Sequence, residues 1–160
     1  MPRIGETQPA APLRRIGYIA SAPPTAVTNS FWGAFVAGLQ EHGWVESQNI
    51  VIDRQYVEMH PQTALAAAEE LVRLKAEVII VASTQTALAA RQPTRTTPIV
   101  MTVPADPVAV GLVASLSRPG GNVTGLSFLG TELAGKQLEL LKEAVTGLAT
   151  VAVLANPTNA

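Results

Sequence analysis

The chain has 160 residues, of which 48% are hydrophobic and 14% charged, a length that suits one domain and a composition that excludes general disorder. Its formal net charge is −1, so it offers no basic surface for nucleic acid or for an anionic membrane. Cysteine is absent and only two histidines are present, which excludes a disulfide scaffold and a cysteine zinc site and leaves little material for a histidine metal site or catalytic triad.

Residues 1–14 are polar and rich in proline and alanine. They lack the roughly 7–15 consecutive apolar residues of a secretory signal, and no run in the chain approaches the ~18 apolar residues of a membrane helix. We expect residues 1–14 to be a disordered leader. A cytoplasmic protein is the alternative interpretation of this missing signal.

Short apolar runs alternate with amphipathic stretches from Arg15 onward. The apolar runs predict strands at residues 16–20, 50–57, 78–82, 99–101, 123–126 and 151–154. The amphipathic stretches predict helices that begin at Asn29 or Ser30, Pro61, Ser83 or Thr84, Asp106–Pro107, and Thr131. Glycines are predicted to end the first and last helices, at Gly43 and Gly147. The last helix is predicted to turn four side chains inward, those of Leu133, Leu138, Leu141 and Val145.

The alternation of strands with helix-length connections predicts an α/β fold with a doubly wound parallel sheet. Residues 50–57 mix charged with apolar positions, which is typical of an edge strand. Residues 78–82 are continuously apolar, as expected of a strand that is covered on both faces. We therefore predict the flavodoxin-like strand order 2-1-3-4-5.

The carboxyl ends of the predicted strands carry small or hydroxyl-bearing residues and one carboxylate. In open parallel sheets this edge binds ligands, at the point where the strand order reverses. The candidate ligand-binding residues at this edge are Ser21, Ser83, Thr84, Gln85, Asp106 and Thr124. Helix capping alone also explains Ser83, Thr84 and Asp106, so both interpretations stay open.

No cofactor, metal ion or catalytic step is predicted at this edge. The first strand is not followed by the Gly-x-Gly-x-x-Gly fingerprint of dinucleotide-binding proteins, and the chain contains neither Gly-Lys-Ser/Thr nor Gly-x-Ser-x-Gly. We expect His42 and His60 on the surface and Trp32 and Trp44 in packing roles, although Trp32 is also placed to touch a ligand. The competing class is a small Rossmann-like or flavodoxin-like enzyme or regulatory domain.

Six segments of the sequence carry a family resemblance, namely residues 16–19, 35–50, 67–75, 97–100, 106–127 and 132–142. The most specific is DPVAVGLVASLSRPGGNVTGLS, from Asp106 to Ser127. In this order the segments resemble the ABC-transporter substrate-binding protein family, which has the type I periplasmic-binding fold. The resemblance covers about residues 15–157.

The resemblance implies a solute receptor in which two α/β lobes, joined by a hinge, close on a small molecule. It implies amino acids as ligands, aromatic ones among them, an ABC permease as partner, and a periplasmic or extracytoplasmic location. The ligand contacts of that fold map here onto Ser21, onto Ser83 with Thr84, and onto Asp106. Residues 124–127 would lie at the first hinge crossing.

Members of that family carry an export signal and are longer than this chain. We therefore expect residues 15–128 to form the N-terminal lobe, and residues 129–160 to be the hinge with the first helix and strand of a truncated second lobe. From this we predict weak solute binding and a homodimer formed through the C-terminal segment. A non-functional truncated paralogue is the remaining alternative.

Overall fold

The computed structural model describes residues 13–21, 23, 25–57, 61–128 and 130–154, with the backbone alone for residues 131 and 132. In chain order its elements are β1 (Arg14–Ala20), α1 (Ala26–Glu41), β2 (Ile50–Tyr56), α2 (Pro61–Arg73), β3 (Val78–Val81), α3 (Thr84–Ala90), β4 (Ile99–Met101), β5 (Val123–Gly125) and α4 (Gly130–Ala144). These five strands are the first five that the sequence predicts. The predicted leader lies outside the described residues apart from Leu13 and Arg14.

The five strands form one parallel sheet in the order β2-β1-β3-β4-β5, which confirms the predicted fold class and strand order. β2 lies at an edge, as its mixture of charged and apolar residues indicates. In the register of β1 with β2, Tyr18 is opposite Arg54 and Ala20 is opposite Tyr56. Because alternate residues of a strand point to the same face, these four side chains share one face of the sheet.

The other face of the sheet is closed by α2 and α3. Ile19, Ile79 and Val81 are fully buried there, against helix side chains that are mostly alanine. Leu71 of α2 is also fully buried, and it comes close to β1 because residue 17 is a glycine. A Cβ at Gly17 would lie 2.7 Å from Leu71 Cδ1. On this face, branched aliphatic side chains of the sheet therefore pack tightly against alanines of the helices.

The face that carries Tyr18 is covered by α1 and by aromatic side chains. Trp32 and Phe35 of α1 pack over Tyr18, with Ile52 and Ile80 buried beneath them. None of the residues of α1 is itself buried. This helix therefore covers its face only in part.

The start of α1 differs from the prediction, since Asn29 and Ser30 lie inside the helix. The N-cap is Thr25, which is extended at φ −123° and ψ 173° and whose hydroxyl accepts from the Thr28 N–H at 3.2 Å. The Thr28 hydroxyl in turn accepts from the Thr25 N–H at 2.6 Å, so the two threonines complete a capping box. A hydroxyl pair thus starts the helix about one turn earlier. The predicted end is confirmed at Gly43, which has φ +80°.

The helix predicted from Asp106–Pro107 is wrong, because residues 107–111 form turns and residues 112–116 are bends and irregular backbone. Asp106 has φ +33°, and its Oδ1 accepts from the Ala109 N–H at 3.0 Å, so its carboxylate caps a turn. Gly111 follows with φ +68°. Two left-handed residues within one short segment interrupt helical hydrogen bonding. Two apolar residues of this segment, Leu112 and Val113, are still buried, while Leu116 is exposed.

β5 ends on a glycine that the sheet requires. Gly125 has φ +134°, and a Cβ there would lie 2.0 Å from the carbonyl oxygen of Met101 in β4. The backbones of the two strands therefore approach too closely for a side chain at this position. Just beyond it, the Leu126 N–H donates to the same Met101 oxygen at 2.9 Å.

The C-terminal part departs from the prediction in two ways. α4 forms, and Gly147 follows it with φ +83°, but its predicted inward side chains are exposed, at 52% for Leu133 and 45% for Val145. Leu138 and Leu141 are exposed as well. Residues 151–154 are not a strand, and Leu154 is fully exposed. Apolar sequence alone does not make a strand, because a strand needs a partner to pair with, and none of the described strands pairs with this segment.

Candidate functional site

A cavity of about 350 Å³ opens at the carboxyl ends of β1, β2, β3 and β4, on the face that α1 covers. Its lining combines aromatic side chains with short polar ones. The aromatic residues are Tyr18, Phe31, Trp32, Phe35 and Tyr56, and the polar ones are Ser21, Thr28, Asn29 and Thr102. None of the described lining residues carries a formal charge.

Three of the aromatic rings form one cluster. The rings of Tyr18 and Trp32 meet edge to face, with centroids 5.1 Å apart and planes at 71°. Phe35 lies 5.4 Å from Trp32 and 6.2 Å from Tyr18, nearly parallel to the tyrosine at 28°. These are the separations and orientations that aromatic pairs favour. The cluster is therefore a defined apolar wall and not a loose collection of side chains.

A cation lies behind this wall. The guanidinium carbon of Arg54 sits 4.2 Å from the ring centroid of Trp32, close enough for a cation–π contact. Arg54 is in turn paired with Glu46, whose two carboxylate oxygens both lie 3.3 Å from Nη2. Neither charged residue lines the cavity.

The Tyr18 hydroxyl is neutral over the whole ordinary pH range. Burial raises the pKa of Tyr18 above its usual value of 10.0, and the charge of nearby Tyr56 raises that pKa further. A neutral phenol both donates and accepts hydrogen bonds. The wall can therefore offer a ligand a polar contact as well as apolar area.

Of the six residues that the sequence singled out, Ser21 alone lines this cavity. Ser83 caps α3, since its hydroxyl accepts from the Thr86 N–H at 3.2 Å. Thr84 is buried, and its hydroxyl accepts from the Ala105 N–H at 3.1 Å, which ties the end of β3 to the loop after β4. The carboxylate of Asp106 caps its own turn.

The last two candidates lie farther along the same edge. Gln85 is half-buried in the first turn of α3. Thr124 is exposed on β5 and lines a separate depression of about 240 Å³ together with Ser127. The structure therefore brings these candidates to one edge of the sheet but gathers only one of them into the cavity.

Sequence reasoning missed the aromatic character of the site, although it placed Trp32 near a ligand. Both tyrosines, one of two tryptophans and two of three phenylalanines line this one cavity. Their positions in the sequence were the usable signal, because Tyr56 is the last residue but one of a predicted strand and Phe31 and Trp32 begin a predicted helix. In a chain that is only 4% aromatic, such a concentration at one edge points to recognition.

A second depression of about 340 Å³ lies at the opposite, amino end of the sheet, beside Leu39 and Trp44. Its rim carries an exposed ion pair between Arg14 and Glu77, with Nε and Oε2 3.0 Å apart. Ligands of open parallel sheets bind at the carboxyl ends of the strands, so we assign the site to the aromatic cavity. Among the described residues, no three acidic or histidine side chains come together as a metal site.

The fold is a doubly wound parallel α/β lobe with its cavity where the strand order reverses, which is the architecture of the periplasmic-binding type. The chain belongs to the ABC transporter substrate binding protein family, whose model matches residues 26–160. That match confirms the resemblance seen in the sequence. In the parts of the chain that the structure describes, no helix is long and apolar enough to cross a membrane.

The relatives of the chain are longer than it is. A tyrosine-binding protein from Clostridioides difficile is 37% identical over 123 residues, which are 76% of this chain and 35% of that protein. The chain therefore spans about a third of this curated relative's length.

Three solved structures of similar fold are also longer than this chain. An open, ligand-free substrate-binding protein from Clostridium difficile is 34% identical with a TM-score of 0.70, over 82% of this chain and 43% of that one. A domain from Streptococcus pneumonia in complex with L-Trp is 26% identical with a TM-score of 0.65, over 72% and 39%. A conserved domain protein from Vibrio cholerae is 31% identical with a TM-score of 0.72, over 82% and 44%.

Proposed function

We propose that this chain supplies one wall of a receptor for an aromatic amino acid, in the solute-binding component of an ABC transporter. The observation that carries the proposal is the uncharged cavity lined by five aromatic side chains at the carboxyl edge of the sheet. The names of two relatives, which refer to tyrosine and to L-Trp, support this ligand class. An ABC permease as partner and a location outside the cytoplasm are parts of the same proposal, based on the family.

The physical basis is the match between the wall and an aromatic ring. The cavity volume of about 350 Å³ falls in the range of small-molecule sites. Each well-oriented aromatic pair adds about 0.5–1.5 kcal/mol beyond the area it buries, and an ammonium group gains from lying against ring faces. A ligand that has both a ring and an ammonium group gains from both interactions.

We propose that the polar end of the amino acid meets the hydroxyls of the same edge. Ser21 lines the cavity, and five residues farther along the same edge remain proposed contacts, namely Ser83, Thr84, Gln85, Asp106 and Thr124. The family is one of binding proteins, so the proposed role includes no catalytic step. Because one wall buries only part of a ligand, we expect weak affinity for the chain as it stands.

The two tryptophans of the chain provide a matched test. Trp32 lines the cavity, whereas Trp44 lies by the depression at the opposite end of the sheet. We expect calorimetry or NMR titration to show tighter binding of L-tryptophan and L-tyrosine than of L-leucine. Trp32→Leu should weaken binding about tenfold, since it removes an aromatic contact worth about 1.4 kcal/mol.

Trp44→Leu is the control for that test and should leave the affinity unchanged. Equal affinity for leucine and tryptophan, or an unaffected Trp32→Leu variant, would contradict the proposed ligand class.

We also propose that the chain self-associates through α4. Its support is the exposed apolar face of this helix, which includes Leu133 and Leu141. Light scattering should show dimers that dissociate on Leu133→Lys. Gly135→Lys places the same charge on nearly the opposite side of the helix, where a new Cβ meets no neighbour, and should leave the dimer intact. A wild-type monomer at all concentrations would refute this part.

A further inference from the structure

Arg54 lies on β2 between Ile52 and Tyr56, on the face that α1 covers, and opposite Tyr18 of β1. At this spacing Ile52 is buried, whereas Arg54 and Tyr56 are exposed toward the end of the strand. A charge is ordinary on an edge strand, so the significance of Arg54 lies in its contacts.

The contacts of Arg54 show what it does there. Its guanidinium carbon lies 4.2 Å from the centroid of the Trp32 ring, and Nη2 lies 3.3 Å from both oxygens of Glu46. Arginine suits this arrangement because its planar group can stack on a ring while its N–H groups bind a carboxylate. Glu46 therefore fixes the guanidinium, and the guanidinium covers the indole.

Trp32 is only partly buried, so the position of its ring depends on the side chains around it. No residue of α1 is buried, and Gly33, the next residue, has open space around its Cα. The indole is held by the rings of Tyr18 and Phe35 and by Arg54. Of these neighbours only Arg54 lies outside the cavity, so it can hold the ring without occupying the place of a ligand.

We propose that Arg54, fixed by Glu46, is a positioning residue that holds the Trp32 indole as a wall of the solute cavity and thereby favours aromatic solutes over aliphatic ones. The inference rests on the proposed function. It adds a pair of charged residues that act on binding without touching the ligand.

The test uses the full chain with Trp44→Phe, so that Trp32 is the single tryptophan. Arg54→Met should shift the Trp32 fluorescence to longer wavelength and increase its quenching by acrylamide, because the uncovered indole meets water. The affinity for L-tryptophan should fall about two- to fivefold, the scale of an exposed cation–π contact, while that for L-leucine changes less. Glu46→Gln should produce the same changes to a smaller extent, and Arg54→Lys should restore part of the affinity.

The control is Arg73→Met, which breaks an exposed pair with Glu70 on the other side of the sheet, where Nη2 and Oε1 lie 2.6 Å apart. It should alter neither the fluorescence nor the selectivity. An Arg54→Met variant with the fluorescence and selectivity of the parent would overturn this inference alone. A parent chain that binds neither L-tryptophan nor L-tyrosine would overturn the proposed function and the inference with it.

Discussion

The two faces of the sheet are built from opposite kinds of side chain. The face under α2 and α3 is closed, with fully buried isoleucines and valines against alanines such as Ala68 and Ala87. The face under α1 carries large rings that are only partly buried, among them Trp32 and Phe35. Small residues let helices approach a sheet closely, whereas large rings hold a helix away from it and leave a cavity.

Under the proposed function, one face stabilises the lobe and the other binds the solute. Complete burial of apolar area contributes most of the folding free energy, so the closed face should carry the stability of the lobe. The open face keeps part of its aromatic area in water, and that area remains available to a ligand. A substitution on the closed face should therefore affect mainly stability, and one on the open face mainly ligand binding.

The largest effect on stability is expected from Leu71→Ala on the closed face. Leu71 is fully buried beneath Gly17, so truncation leaves a cavity and should lower the free energy of unfolding by about 2–5 kcal/mol. Urea denaturation followed by circular dichroism measures this loss. Phe31→Ala on the open face is the comparison, since that ring is 68% exposed and should cost far less.

The comparison of the faces would break down if Phe31→Ala were as destabilising as Leu71→Ala. In that case the open face would contribute as much to the folding free energy as the closed face does.

The smallest effect on stability is expected from ionisation of the Tyr18 phenol, which lies on the open face. Its pKa is raised by burial and by Tyr56, so the folded state holds the proton more tightly than the unfolded state does. The corresponding stability is fully present below pH 10.0 and is lost as the pH rises through the raised pKa. Urea midpoints at neutral pH and above pH 10.0 should therefore differ more in the wild type than in Tyr18→Phe.

Tyr56→Phe is the control for this titration. It removes the smaller cause of the raised pKa and should reduce the alkaline loss only in part. An alkaline loss in Tyr18→Phe equal to that of the wild type would contradict the assignment to this phenol.

The sheet could be predicted from the sequence because strand order follows from local patterns. Continuous apolar residues marked β3 as central, and the charges in residues 50–57 marked β2 as an edge. The segment from Asp106 could not be predicted in the same way. Its hydrophobic spacing is helical, but the left-handed Asp106 and Gly111 break the backbone pattern, and hydrophobic spacing does not report φ.

The exposure of α4 and the aromatic lining of the cavity could not be predicted, for a related reason. The apolar positions of α4 are correct for an amphipathic helix, yet burial depends on a packing partner that local sequence cannot specify. At the site, the rule about strand ends predicted the edge where the cavity lies, and Ser21 lines that cavity. The rings of Tyr18 and Tyr56 gather there only because the register of β1 with β2 sets them on one face, and register is a tertiary property.

Gly125 limits which substitutions this chain can accept. Three backbone atoms of Met101 lie within 3.0 Å of the place where a Cβ would stand, so no other residue fits without moving a strand. The direction in which the chain leaves the sheet toward α4 is thus tied to a position with a single permitted residue. Side chains already stand at the ring positions around the cavity, so substitutions there change the cavity without this backbone clash.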